Sequence, residues 1–194
     1  RPILSDVLVD NDNYEIVFGD FLEQDLANIR EKYSYEKIYV VANLPYYITT
    51  PIITKLMNEL YPDKIVIMIQ TEVADRLVAD CGSRDYGMIS VLLGSKYSIK
   101  KLFNVSRNCF IPQPNVDSAV ISLEKNDKLE DISILKFEKF IKDAFKFKRK
   151  NLKNNLKNYD LNKIQQVLSK YGFSLTNRAE DLPASVFIEI VKNI

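Results

Sequence analysis

Ile38-Tyr39-Val40-Val41-Ala42-Asn43-Leu44-Pro45-Tyr46-Tyr47-Ile48-Thr49-Thr50-Pro51 is the stretch on which the fold turns. Its first part is β-branched, aromatic and apolar without a polar break, and too short for a buried helix, so it reads as a strand. Asn43-Leu44-Pro45 ends it, because proline cannot donate to a ladder and holds the residue before it extended. Thr49 or Thr50 then offers a cap, with Pro51 at the first helical position. The helix that follows runs to about Leu60 and turns Ile52, Ile53 and Leu56 to one side. The same alternation recurs on both flanks. Upstream, Tyr14–Phe18 reads as a strand stopped at Gly19-Asp20, and Phe21–Tyr33 as an amphipathic helix carrying Leu22, Leu26 and Ile29. Downstream, Ile65–Ile69 is a strand and residues 71–80 a helix. Strands apolar on both faces and separated by helices predict an α/β fold whose parallel sheet is covered on both sides.

The pattern changes from residue 86. Ile89–Leu93 is apolar and compatible with either strand or helix. Tyr97–Val105 and Ala119–Leu123 read as strands, an antiparallel pair at the sheet edge, with Pro112 and Pro114 between them. After a polar link at Asn126–Leu129 all elements read as helices, over 134–147, 149–158, 161–171 and 184–193, the third ending at Gly172. A boundary near residue 127 therefore divides the chain into an α/β domain, 1–126, and a small helical C-terminal domain, 127–194.

Composition removes several chemistries. The 194 residues contain no His, so imidazole acid–base catalysis and imidazole-ligated zinc are excluded. Cys81 and Cys109 lack metal-ligand spacing, and reduced thiols of a cytoplasmic protein are the simple expectation. No apolar run approaches the roughly 20 residues that span a bilayer, and residues 1–25 carry no signal-peptide pattern. The five glycines are isolated, so no glycine-rich phosphate loop is present. The net charge of +1 hides a division. Residues 1–125 hold 13 basic and 17 acidic groups, whereas 126–194 hold 14 and 9. Nine of those basic groups fall within 136–157, opposed only by Glu138 and Asp143.

Four segments carry chemical potential. Asn43-Leu44-Pro45-Tyr46 stands where a strand of a parallel sheet ends, which is where open α/β folds bind ligands. The Asn43 amide oxygen and the Leu44 carbonyl can accept the two N–H bonds of an exocyclic amine, and the Tyr46 ring offers a surface for a base. The bland alternative is a strand-ending turn with a core tyrosine. Asp20 either accepts from an adenine amino group or caps the next helix. Phe110, on a proline-stiffened loop, either fills the core or stacks on an extruded base. Phe145–Leu156, with Lys146, Lys148, Arg149, Lys150 and Lys153, is either a solvated helix face or a surface for a phosphate backbone.

In this order the segments resemble the small-subunit rRNA adenine N6-dimethyltransferase family. Asn43–Pro51 resembles its amine-binding motif and following helix. Gln70–Leu77, Tyr86-Gly87 with Ser90, and Phe110–Val120 resemble its later signatures, and Phe145–Leu156 and Arg178-Ala179-Glu180 its helical domain. The erythromycin-resistance rRNA methylases share the first motif and the Phe110 loop, but Val116–Val120 and Lys148-Arg149-Lys150 are closer to the small-subunit enzymes. The resemblance implies a Rossmann-like methyltransferase core with a helical domain, and S-adenosylmethionine as methyl donor. It implies two adjacent adenines near the 3′ end of small-subunit rRNA, in a pre-30S particle, as substrate. It assigns Asp20 and Phe21 to the cofactor, Asn43 to cofactor and target amine together, Leu44 and Pro45 to the amine-binding turn, and Tyr46 and Phe110 to the target base.

The family's opening strand, its glycine-rich loop and a ribose-binding acid have no counterpart before Arg1, so the resemblance further implies an N-terminally truncated piece. Weak or absent cofactor binding and self-association through a bare sheet edge are then expected. Two other readings stand beside the leading one. One is a methylase of large-subunit rRNA or DNA adenine; the other is a non-catalytic RNA-binding assembly factor.

Overall fold

The computed structural model describes residues 14–126, 128, 129 and 132–194. The expected boundary at residue 127 lies outside the described residues. The sheet has four strands in the order β1-β2-β4-β3: β1 Tyr39–Asn43, β2 Lys64–Gln70, β3 Tyr97–Val105 and β4 Ser118–Lys125. β1 runs parallel to β2, while β4 is antiparallel to both β2 and β3. Ile65, Ile67 and Ile69 of β2 align with Leu123, Ile121 and Ala119 of β4, and all six are sealed from solvent. Full burial of each large aliphatic side chain contributes about 1.5–3 kcal/mol, which makes this row the main stabilising feature of the sheet.

Helices α1 Leu26–Lys32, α2 Thr49–Lys55, α3 Thr71–Val78 and α4 Met88–Lys96 accompany these strands. A π-helical turn, Leu56–Leu60, extends α2. Ile52, Ile53, Leu56, Met57, Ala74, Leu77 and Leu93 pack with the sheet isoleucines in one core. Among the described residues the opposite face is open: Val41 is 82% and Tyr39 62% exposed. The expectation of cover on both sides is thus met on one side only. A valine pair such as Val40-Val41 looks equally apolar in sequence whichever face is covered.

Helices α5 Ile134–Ala144, α6 Leu152–Asn155, α7 Leu161–Lys170 and α8 Ala184–Asn193 build a second core around Phe137, Phe140, Leu152, Leu156, Leu168 and Phe187. Phe140 meets Tyr159 edge-on with ring centroids 5.1 Å apart. The Tyr159 hydroxyl donates to Asp143 at 2.7 Å. Burial, with that bond, pushes its pKa up to about 12. Gly172 closes α7 at φ +77°, a conformation that side chains disfavour. No helix among the described residues is long and apolar enough to cross a membrane.

Helix α4 contributes to both cores, since Val91 and Leu92 pack with the helical layer and Leu93 with the sheet. At its end Lys96, 2% exposed, donates to Glu138 of α5 at 2.9 Å and to Asn58 at 3.4 Å. This ammonium ties the sheet layer to the helical layer.

Several expected elements differ. Tyr14–Phe18 is not a strand: no described strand lies beyond β1 to pair with it, and Val17 and Phe18 are more than half exposed. Glu15 instead accepts bonds from Lys32 and from the Tyr33 hydroxyl; the Lys32 bond, chiefly, holds its carboxyl below the ordinary value. The helix expected over Phe21–Tyr33 breaks at Gln24-Asp25, because Asp20 caps a 3₁₀ turn, Phe21–Glu23, and Asp25 caps α1 separately. Thr49 occupies the first position of α2 and Pro51 the third, and the Thr49 hydroxyl donates back to the Pro45 carbonyl at 3.1 Å. Ile89–Leu93 resolves as helix within α4. The helices expected over 134–147 and 149–158 shrink to α5 and α6, leaving a turn between them.

The Lys96–Glu138 pair generates a stability test. Glu138→Ala leaves a buried ammonium uncompensated and is expected to cost about 3–5 kcal/mol, whereas Lys96→Met with Glu138→Leu stays near neutral. Urea denaturation of the three proteins measures both values.

Candidate functional site

The site grows from the carboxyl ends of β1 and β2. Asn43 is the last residue of β1, opposite Met68, and the Leu44 N–H donates to the Met68 carbonyl at 3.2 Å. That bond carries the β1–β2 pairing one residue past the strand and sets the direction of the turn. Pro45 then leads into a 3₁₀ turn, Tyr46–Ile48, whose Ile48 N–H returns to the Pro45 carbonyl at 3.3 Å. With Thr49 also bonded to that carbonyl, the turn is closed from within. The Asn43 side-chain amide and the Leu44 carbonyl have no hydrogen-bond partner among the described residues. The Tyr46 ring is fixed at its far end, where its hydroxyl shares a 2.6 Å hydrogen bond with the buried Ser118.

The facing wall is the loop between β3 and β4. Arg107 N–H donates to the Asp117 carboxylate at 2.9 Å and the Arg107 guanidinium to the Asn115 carbonyl at 3.1 Å. Thr71 N–H donates to the Asp117 carbonyl at 3.0 Å, which moors the loop to the start of α3. Gln113 donates to Asn108 across the loop at 2.9 Å. On this braced loop Phe110, Pro112 and Pro114 face Asn43, Leu44, Pro45 and Tyr46 around a cavity of about 320 Å³. The structure therefore brings all five expected catalytic residues, Asn43, Leu44, Pro45, Tyr46 and Phe110, to one cavity. Its walls are a tyrosine ring, a phenylalanine ring and prolines, and its free polar atoms are hydrogen-bond acceptors and one amide. Such a slot suits a flat aromatic ring bearing an amino group.

A second recess of about 510 Å³ adjoins it, lined by Asp20, Phe21, Val40 and Ala42 and, shared with the first, Asn43, Leu44 and Pro45. One Asp20 carboxylate oxygen accepts the Leu22 N–H at 2.8 Å, so capping is real. Its other oxygen has no partner among the described residues, so capping leaves it available to a ligand. An apolar wall with a single carboxylate oxygen fits the adenine part of a nucleoside, the group the sequence resemblance requires there. Asp20, Phe21 and Asn43 thus share one recess, and Asn43 lines both.

The basic segment takes a shape that the sequence did not predict. Lys146, Lys148, Arg149 and Lys150 occupy the exposed turn between α5 and α6, and Lys153 is exposed on α6. Among the described residues none of the five has an acidic partner. The turn is held open by Asn155, whose amide donates to the Ala144 carbonyl at 2.7 Å and the Phe147 carbonyl at 3.3 Å and accepts the Phe147 N–H at 3.3 Å. Leu152 N–H and Lys153 N–H are fixed by the carbonyls of Asn177 and Leu175. Lys148 also reaches a cleft of about 780 Å³ between the two layers, with Arg76, Arg84, Tyr86 and Phe145. Burial raises the Tyr86 hydroxyl well above the ordinary tyrosine range, and it donates to the Leu182 carbonyl at 3.0 Å.

Two positioning residues escaped the sequence reading as such. Ser118 holds Tyr46, and Asn155 holds the basic turn. A small buried polar residue and one asparagine among many carry no local signal for these tasks. Among the described residues no group of His, Cys, Asp and Glu is arranged to hold a metal ion.

The chain is similar to known proteins. The family model described as ribosomal RNA adenine dimethylase matches residues 2–194. A ribosomal RNA small subunit methyltransferase A from Mycoplasma mobile is 42% identical over 177 residues, covering 90% of this chain and 67% of its own length. The protein of the same name from Clostridioides difficile is 40% identical, with 100% of this chain and 69% of that protein covered. For the one from Natranaerobius thermophilus the covered share is 63%, so the chain spans about two thirds of the length of its curated relatives. Among solved structures, a dimethyladenosine transferase from Plasmodium falciparum superposes with a TM-score of 0.77 at 22% identity, covering 97% of this chain and 75% of that one. The 23S rRNA methyltransferase ErmE gives 0.73 at 21% identity, covering 99% and 76%. These two likenesses establish a Rossmann-like methyltransferase fold. The family match over residues 2–194 and the relatives at 40–42% identity establish more: this chain belongs to the ribosomal RNA adenine dimethylase family.

Proposed function

We propose that the chain is the target-binding and RNA-binding portion of a small-subunit rRNA adenine N6-dimethyltransferase. That enzyme acts on two adjacent adenines near the 3′ end of that RNA during assembly of the small subunit, in the cytoplasm, and this chain by itself is expected to be inactive. The observation that carries this reading is Asn43, which lines both the aromatic slot and the recess containing Asp20. A residue common to both cavities is what a transfer between two adenine-bearing molecules requires. Residues 1–126 serve as the methyltransferase domain and 127–194 as the RNA-binding domain. The edge and face of β1 that no described strand or helix covers are the surface for self-association.

When bound, S-adenosylmethionine supplies an electrophilic methyl group. The protein's part is to present the amine. Tyr46 and Phe110 hold the target base between their rings, and Pro45 and Pro112 narrow the slot against water. The Asn43 amide oxygen and the Leu44 carbonyl accept the two amine hydrogens, which turns the nitrogen lone pair toward the neighbouring recess. Positioning of this kind needs no ionised general base, in keeping with a chain without His. After one methylation a single N–H remains, and one acceptor suffices to orient it for the second. Asp20 and Phe21 would hold the cofactor's adenine. The cations of the α5–α6 turn, without an acidic partner among the described residues, meet the RNA backbone.

Asn43→Ala introduced into the gene tests the assignment in the cell. The two adjacent dimethyladenine stops in small-subunit rRNA are expected to disappear from primer extension, while the purified variant binds RNA as before. Persisting stops would refute the role of Asn43, and stops lost from large-subunit rRNA instead would redirect the substrate. The basic turn has its own readout. Exchanging Lys148, Arg149 and Lys150 for Gln is expected to flatten the log–log salt dependence of RNA binding by about 0.7–0.9 per lost phosphate contact. An unchanged slope would return these side chains to solvent.

A further inference from the structure

A third recess, of about 660 Å³, opens where β2 ends and the β3–β4 loop departs. Gln70, Asn104 and Asn115 line it together with Arg107, Val116 and the loop-bracing Asp117. None of the three side-chain amides has a hydrogen-bond partner among the described residues, and the Thr71 hydroxyl beneath them is sealed from solvent without one. Three amides with free donors and acceptors, converging on one concavity, form a surface complementary to the edge of a nucleobase; Asn and Gln pair with the amino group and ring nitrogen of adenine. Two acids share the lining: Glu72 is engaged by Arg76 at 3.2 Å, and Asp117 accepts the Arg107 backbone N–H at 2.9 Å. The Arg107 guanidinium donates to the Asn115 carbonyl at 3.1 Å and forms no ion pair with a carboxylate among the described residues.

The recess is placed for the same strand of RNA as the aromatic slot. The two cavities lie on either side of one loop, which gives Phe110, Pro112 and Pro114 to the slot and Arg107, Asn115 and Val116 to the recess. Asn43 stands opposite Met68, and Gln70 lies two residues further along β2. With ladder neighbours about 4.8 Å apart and a rise of about 3.3 Å per residue, the Asn43 and Gln70 Cα atoms are roughly 8 Å apart. Gln70 pairs across the sheet with Ser118, the residue that anchors Tyr46, so both cavities share one rigid frame.

We propose that this recess receives the nucleobase next to the target adenine, an adenine in the substrate read by Gln70, Asn104 and Asn115, with Arg107 on the connecting phosphate. The proposal rests on the rRNA-methylase reading above and deepens it. It makes the neighbouring base a recognition element held in place while the target base is in the slot.

The test uses a short single-stranded RNA with two adjacent adenines, an otherwise identical RNA with either adenine made abasic in turn, and fluorescence anisotropy. The variant is Gln70→Met with Asn115→Leu, both near-isosteric and neither in the target slot; circular dichroism verifies its fold. Removing the neighbouring base is expected to weaken binding by the unsubstituted chain roughly 10-fold, the scale of one good base-edge pair. The variant is expected to lose the same factor on intact RNA and nothing further on the abasic RNA. Binding by the unsubstituted chain that ignores the second base, or an equal loss by the variant on both RNAs, would overturn the inference while leaving the parent reading intact. Absence of any RNA binding by the unsubstituted chain would overturn both. A Tyr46→Leu control separates the cavities, since its loss persists on the RNA lacking only the neighbouring base.

Discussion

The pairing of β2 with a parallel neighbour on one side and an antiparallel neighbour on the other is the constraint from which the site follows. β1 delivers Asn43 and the Pro45 turn to the carboxyl end of the sheet, because a parallel neighbour ends where β2 ends. β4 begins at that same end, because it is antiparallel, and so brings with it the loop that carries Phe110. Two walls from distant parts of the chain are thus brought together beyond β2 by the ladder. The buried row Ile65, Ile67 and Ile69 fixes the register, since a slip of one residue would turn these side chains to the opposite face. Tyr46 and Ser118 then join the two walls directly, 2.6 Å apart across a sequence separation of 72 residues.

The second organising feature is the division of charge. The sheet layer is mildly acidic and the helical layer basic, and the buried Lys96–Glu138 pair couples them through α4 and α5. Four cations without an acidic partner among the described residues, Lys146, Lys148, Arg149 and Lys150, gather in the turn between α5 and α6. A turn presents its side chains in several directions at once, which suits a curved, folded RNA better than a straight stripe. Asn155 makes that turn rigid, so the cations are held out with little ordering left to be done on binding.

Much of this was legible in the sequence. The strand–turn–helix at Ile38–Pro51 was readable because a β-rich run and a proline each act locally, although Thr49 enters α2 as its first residue and bonds back to Pro45 instead of capping it. The edge pair β3–β4 and the start of α3 were readable for the same reason. What was hidden depended on partners far along the chain. Tyr14–Phe18 has the composition of a strand but no described neighbour to pair with. Ile89–Leu93 is apolar on every side, and its helical state is set by lying between two cores. Phe145–Leu156 keeps a helical spacing of apolar residues, yet Asn151 and Asn155 withdraw its backbone groups into caps and a turn. Lys96 looks like a surface residue until Glu138 is placed beside it. In the site itself the turn at Asn43–Tyr46 was legible from its residue types, whereas the Ser118 anchor and the amide recess around Gln70 exist only once β2 and β4 are paired.

The central claim is that Asn43, Tyr46 and Phe110 enclose a single adenine-binding slot built by two loops at the end of β2. A titration of the ¹⁵N- and ¹³C-labelled chain with adenosine, followed by NMR, tests it most directly. The account predicts that the Asn43 side-chain amide and the ring signals of Tyr46 and Phe110 shift together along one binding curve. Shifts confined to one of the two loops, or curves that differ between them, would contradict it.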